Sequence, residues 1–308
     1  MSFEEQERAL FDLLFDKTLR DRFCSEPMAA FSEYELNDEE LRDFAEIRPD
    51  ALELDAKMRR SFLLTHICRA YPISFAIVSS LGNGRELLTG LVDSQTMRCN
   101  SIERPTVFGT RLREALLGFN FDTRAEQALI IAILEAELAM AMTSASIKRE
   151  VIQAKKIHDD SVAVSDNWTK MKIKLAAHVG AAIIPQPYLE LKRGFCSVAD
   201  TDLWNALKQN PVSKSLRNKI LKHEMPRLLV VRARLNHKSY CDPQVDHQTV
   251  ELSDGFASLF QHVNGTTSAE QIMAELKKAG AEDKILKGVQ SGFKQLLGKG
   301  MLEIVASE

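Results

Sequence analysis

Four metal-ligand residue types cluster in HKSYCDPQVDH: His237, Cys241, Asp246 and His247. Imidazole, thiolate and carboxylate donors suit zinc or iron. Their spacing matches no common metal motif, and a polar hairpin loop accounts for the same residues. In ALIIAILEAELAMAM, Glu135 and Glu137 flank an apolar helix face. A catalytic carboxylate pair is usually tuned by a nearby His or Arg, and none is close in sequence. Cys68 in THICRAYP lies among apolar neighbours and reads as core. GNGREL, from Gly82, holds two of the three glycines of a dinucleotide fingerprint but follows no strand pattern, so it reads as a turn. The chain contains no His-Glu-x-x-His, Gly-x-Ser-x-Gly, Walker loop or Cys-x-x-Cys. None of its 7 histidines follows a Glu at the three-residue spacing of helical iron–carboxylate sites. The residues predict a binding protein rather than a catalyst.

The first half has helical periodicity. ERALFDLLFDKTLRDRF places Leu10, Phe11, Leu14, Leu19 and Phe23 at helical spacing. CSEPMAAFSEYEL predicts a new helix with Ser25 as its cap and Pro27 in its first turn. NDEELRDF predicts another, capped by Asn37 or Asp38. Pro72 has no amide hydrogen, so the helix through THICRAY is expected to break near Tyr71. From Arg124 to about Lys156 a single helix of roughly 50 Å is expected.

The second half changes in texture. KMKIKLAAHVGAAII alternates Met171, Ile173 and Leu175 and reads as a strand. PRLLVVRARL and HQTVEL are rich in β-branched residues and predict strands joined by the NHKSYCDPQVD loop. In SLFQHVNGTTSAEQIMAEL, Ser253 upstream is expected to cap a helix through Val263, and Asn264-Gly265 to end it. Thr267 and Glu270 would form a capping box for the next helix, closed by Gly280. A third helix carries Leu286, Val289, Phe293, Leu296 and Leu297, and GMLEIVA returns as a strand. The expected fold class is α+β: a mostly helical domain over 1–165, connecting strands and a basic linker over 166–225, and a winged-helix-like domain over 226–308.

The 308 residues fit about two domains. A hydrophobic content of 45% supports real cores. No window of about 20 residues is free of charge, so no membrane helix is expected. MSFEEQERAL lacks the pattern of a signal peptide. The 5 cysteines are widely spaced, which fits a reducing cytoplasm. The net charge of −3 hides an asymmetry. Residues 1–60 hold 9 Lys and Arg against 17 Asp and Glu, whereas residues 192–238 hold 11 against 3. Two solvated surfaces explain this, and so does a basic face for an acidic partner.

Winged helices read DNA through a helix in the major groove, or bind extended peptides at a sheet edge. Residues 239–308 hold 6 Lys and Arg against 10 Asp and Glu. Neutralising phosphates needs the opposite balance, so nucleic acid is disfavoured. A DNA-binding transcription regulator with a helical sensor domain is the alternative reading.

LSDGFASLFQHVNGTTSAEQIMAEL followed by VQSGFKQLLGKGMLEIV resembles the PqqD-like precursor-recognition domains of peptide natural-product pathways. LLFDKTLRDRFCSEPMAAFSEYELNDEELRDF is similar to a helical pattern in partner subunits of peptide-modifying iron oxidases. With CRAYPISFAIVSSL between them, the whole chain resembles the methanobactin biosynthesis C-protein (MbnC) family. The resemblance implies a non-catalytic subunit with no cofactor of its own. Its partners would be a TIM-barrel multinuclear iron oxidase, the B protein, and a precursor peptide. The oxidase, which carries the iron, converts precursor cysteines to oxazolone–thioamide groups. Exposed-edge logic then places an extended leader peptide along Leu228, Val230, Val231, Arg232 and Arg234. The third helix would pack against it through Leu286, Val289, Gln290 and Phe293.

Overall fold

The computed structural model describes residues 3–153, 167–196, 198–199, 201–221, 225–237 and 243–305. The first half forms α1 (Phe3–Phe15), α2 (Lys17–Ser25), α3 (Asp38–Ala45), α4 (Pro49–Ala70), α5 (Pro72–Val78), α6 (Gly84–Gly90), α7 (Ser94–Met97), α8 (Arg104–Leu117) and α9 (Arg124–Ile152). There follow β1 (Lys172–Leu175), β2 (Val179–Ile184), α10 (Tyr188–Phe195), α11 (Leu203–Gln209) and α12 (Lys214–Leu221). The last part is β3 (Arg227–His237), β4 (Gln244–Ser253), α13 (Phe256–Phe260), β5 (Asn264–Ser268), α14 (Ala269–Lys278), α15 (Asp283–Gly298) and β6 (Leu302–Val305). The class is α+β, with two three-stranded antiparallel sheets, β5-β1-β6 and β2-β3-β4, among the described residues.

The chain divides into two compact units, Met1–Phe119 with Phe195–Arg217, and Asn120–Gly194 with Asn218–Glu308. These bounds differ from the boundaries expected at 165 and 225. Two long-range packings move them. α9 belongs with the strands of the second unit rather than with the other long helices. α11 returns to the first unit, where Trp204 meets Phe75 edge-to-face with ring centroids 5.6 Å apart.

The first unit is helical. Asp16 accepts from the amides of Thr18 at 2.8 Å and Leu19 at 3.3 Å, so it ends α1 and caps α2 where one helix was expected. The helix expected after Ser25 is only a 3-10 turn, Ala29–Phe31. Ser25 donates back to Arg22 O and closes α2 instead of opening a helix. The chain turns there because Phe31 fills the core between Phe23 and Phe44, with ring centroids at 5.7 and 4.8 Å. Asn37 caps α3 in a full capping box with Glu40. Pro72 bends the chain by 119° between α4 and α5, as its missing amide hydrogen requires.

In the second unit, β2-β3-β4 lies between two layers. α9 covers one face, with Ala139 and Thr143 against Gly180 of β2. On the other face Leu228, Val230, Val250 and Leu252 share a core with Phe256, Val289 and Phe293. The segment expected as one strand splits at His178 (φ +57°) into β1 and β2, which join different sheets. Among the described residues, α9 alone is long and apolar enough by composition to cross a membrane, and half of its most apolar window is buried inside the fold.

Candidate functional site

The proposed docking strand is β3, and it occupies the middle of its sheet. Arg227–Arg232 pair with β2 on one side and Arg227–His237 with β4 on the other. Its backbone groups are therefore committed, and a peptide cannot add beside Leu228–Arg232. Side chains alternate across the strand. Leu228 and Val230 enter the core shared with α15, and Val231 is buried on the face toward α9. Arg232 is also buried and donates to Lys299 O at 3.3 Å. Arg234 lies opposite Asp246 and is partly buried. The β3 residues thus serve as scaffold. The docking expectation was wrong here because edge status depends on β2, whose pairing no local pattern reports.

The helix residues separate in the same way. Val289 and Phe293 are core, with Phe293 edge-to-face against Phe256 at 5.6 Å. Leu286 is partly buried and Gln290 is exposed. The preceding turn also differs from expectation. α13 has five residues, and Gly255 rather than Ser253 stands at its N-cap. Asn264-Gly265 opens β5, with Gly265 at φ +85°. The capping box forms one residue later than expected, between Ser268 and Gln271.

The metal-type cluster does not assemble among the described residues, and Cys241 lies outside them. Asp246 and His247 are adjacent on β4 and face opposite sides of the sheet. His247 points to α9, where its Nε2–H is shared between Met140 O at 3.0 Å and Ser144 Oγ at 2.9 Å. His237 pairs with Gln244 near the strand ends. Glu137 is fully buried on α9 while Glu135 is partly exposed. Cys68 is buried, as expected for core. Two cations of the basic stretch are interior, one in each unit. Arg217 is buried and donates to Ser80 O and Oγ, and Arg232 is buried in the other unit.

Desolvation against α9 lowers the His247 pKa from its ordinary value, outweighing the Met140 hydrogen bond and the Asp246 charge. The unfolded chain then binds the proton more readily, so this residue's contribution is complete above about pH 6.5 and is lost as pH falls. His247→Gln is expected to reduce the loss of stability on acidification. Urea denaturation of both proteins at neutral and mildly acidic pH checks this, and parallel pH dependences would contradict it.

Sequence reasoning missed His178. Its Nε2–H donates to Glu150 Oε2 at 3.0 Å, and its Nδ1 lies 3.0 Å from Ser146 Oγ. Ser, His and carboxylate are hydrolase residue types, but both partners here lie one turn apart on α9. The His178 carbonyl also accepts from Ala233 N at 3.0 Å. The arrangement fastens the β1–β2 turn onto α9, and the left-handed backbone of His178 is the only sign of it.

Sequence reasoning predicted β4 through HQTVEL but did not see it as the sheet edge: it is the ten-residue terminal strand of its sheet, with no strand partner on its outer side among the described residues. Gln244, Asp246 and Gln248 share the face of Val250 and Leu252, which pack with α15. The strand is half-buried toward its C-terminal end and largely exposed toward its start. No protein-family model, no curated protein and no solved structure matches this chain.

Proposed function

We propose that this chain is a non-catalytic subunit that binds an extended precursor peptide and presents its cysteines to a separate iron-dependent oxidase. The peptide would add as a strand outside β4, and the observation that carries this is the outer edge of that strand, which has no strand partner among the described residues. About half of the ten residues of β4 direct their N–H and C=O groups outward, enough for a register of about five residues. Backbone pairing supplies affinity, and side chains at alternate positions supply specificity. Peptide residues on the α15 side would lie along the sheet face that carries Gln248 and Asp246.

A winged-helix-like recognition domain fits β3, β4 and the three helices α13, α14 and α15, with β1 completing a second sheet. In this reading the domain would start before 226, because β1 is the central strand of the sheet it shares with β5 and β6. The methanobactin-type oxazolone–thioamide chemistry belongs to the partner in this reading, as does the iron. On the first unit, α4 exposes Leu54, Met58 and Phe62 at helical spacing, with Leu54 60% and Phe62 63% exposed. Such a stripe is the kind of surface that a protein partner covers. A cytoplasmic setting agrees with this reading.

The test takes, as probe, any short cysteine-bearing peptide found to be encoded next to the gene for this chain. Its labelled leader is titrated by fluorescence anisotropy, and amide hydrogen exchange is measured on the complex. Slowed exchange along β4 is expected. Binding that leaves β4 exchange unchanged would remove the edge assignment, and failure of any such leader to bind would remove the peptide reading.

A further inference from the structure

The first unit contains a cavity of about 550 Å³, within the range of small-molecule sites. Its lining is rich in donors: Lys17, Arg60, Arg85, Thr18 and Ser94. Arg60, on α4, is partly buried, and its Nε and Nη2 are buried without a hydrogen-bond partner among the described residues. Those two nitrogens have lost hydration and gained no hydrogen bond in return.

The carboxylates in the wall do not satisfy it. Asp16 Oδ1 caps α2 by accepting from Thr18 N and Leu19 N. Asp93 is held by Arg111, whose two terminal nitrogens reach both of its oxygens. That pairing keeps the Asp93 carboxyl below the usual carboxylate range, against the effect of its burial. Glu86 is exposed. Arg85 spends Nη1 on Lys208 O at 3.2 Å and keeps the rest of its fork. Three cations thus face the cavity while two of its three carboxylates are already engaged.

We infer that this cavity binds a small metabolite through a phosphate or carboxylate group held by Arg60 and Arg85, with Lys17 adding charge. Arg forks match both anions in geometry and bind them by charge-assisted pairs. The volume leaves room for a polar body beyond the anionic group. This site is independent of the peptide reading, because it lies wholly in the first unit.

The experiment is calorimetric titration and thermal melting of the full chain with inorganic phosphate and with malonate, at ionic strength matched by chloride. Saturable binding of one probe and a rise in Tm are expected. Arg60→Met should weaken that binding about tenfold or more, the loss typical of a hydrogen bond to a charged group. Without anion, Arg60→Met should be at least as stable as the native chain, because it removes two buried N–H groups that have no partner among the described residues. Tighter binding of phosphate assigns a phosphate ester, and tighter binding of malonate assigns a carboxylic acid. Arg85→Met is the second variant if Arg60→Met fails to fold. Absence of saturable binding, an equal response to chloride, or unchanged affinity in the folded variants would overturn the site.

Discussion

Gly84→Ala is expected to destabilise the first unit by about 3 kcal/mol or more, at the upper end of overpacking changes. A Cβ at Gly84 would sit 1.7 Å from Val78 O and 2.8 Å from Val78 C. Both are backbone atoms at the end of α5, so no side-chain rotation relieves the clash. Gly84 is fully enclosed at the first position of α6, and its amide donates to Leu81 O at 3.2 Å. The neighbouring glycine provides the control. A Cβ at Gly82 meets nothing within 4 Å, so Gly82→Ala should leave stability within about 0.5 kcal/mol of native. Urea denaturation midpoints of the two variants decide the matter, and equal midpoints would refute the close approach of α6 to α5.

Phe293→Ala should cost about 3–5 kcal/mol, the range for removing a fully buried aromatic ring. Phe293 is wholly inaccessible and stacks edge-to-face on Phe256. It stands at the centre of the core that joins β3, β4, α13, α14 and α15, so its loss opens a cavity between the sheet and the helices. Gln290, three residues earlier on α15, is exposed, and Gln290→Ala should leave stability within about 0.5 kcal/mol. The pair separates scaffold from surface on a helix where both residues were expected to touch a peptide. Thermal melting of both variants reads the difference, and a Phe293→Ala protein that melts with the native chain would remove Phe293 from the core. Loss of peptide binding in Phe293→Ala would report unfolding, whereas the same loss in Gln290→Ala would report contact.

Much of the local structure was legible because its causes are local. Asn37 and Glu40 form their box within four residues, and Pro72 breaks the helix at its own amide. The long α9 appeared where Gly and Pro are missing, and Gly280 closes α14 at φ +92°. Where two local signals competed, the sequence was less decisive. Ser268 took the cap expected of Thr267 because β5 runs through Ser268 and α14 begins only at Ala269, one residue later than expected. Ser25 lost its cap role because the turn of Phe31 into the core outweighed the helix signal after it.

The site itself needed non-local information. Leu228, Val230 and Val231 carry the composition of a strand whether it is central or terminal. Only the pairing with β2, from a distant part of the chain, makes β3 central and leaves β4 as the edge. Asp246 and His247 look like fellow ligands in one dimension, but the alternation of a paired strand parts them. Gly82 and Gly84 look alike in GNGREL until the end of α5 is brought against one of them. The sequence alone determined most of the longer elements, the α+β class and the shortage of catalytic motifs, since short-range hydrogen bonding and apolar periodicity encode them, but it did not show β5 or the helices α10, α11 and α12, which lie where connecting strands and a basic linker were expected. Tertiary structure alone decided which strand is an edge, which residues are core and which charged residues line one cavity, because each depends on segments that are brought together only when the chain folds.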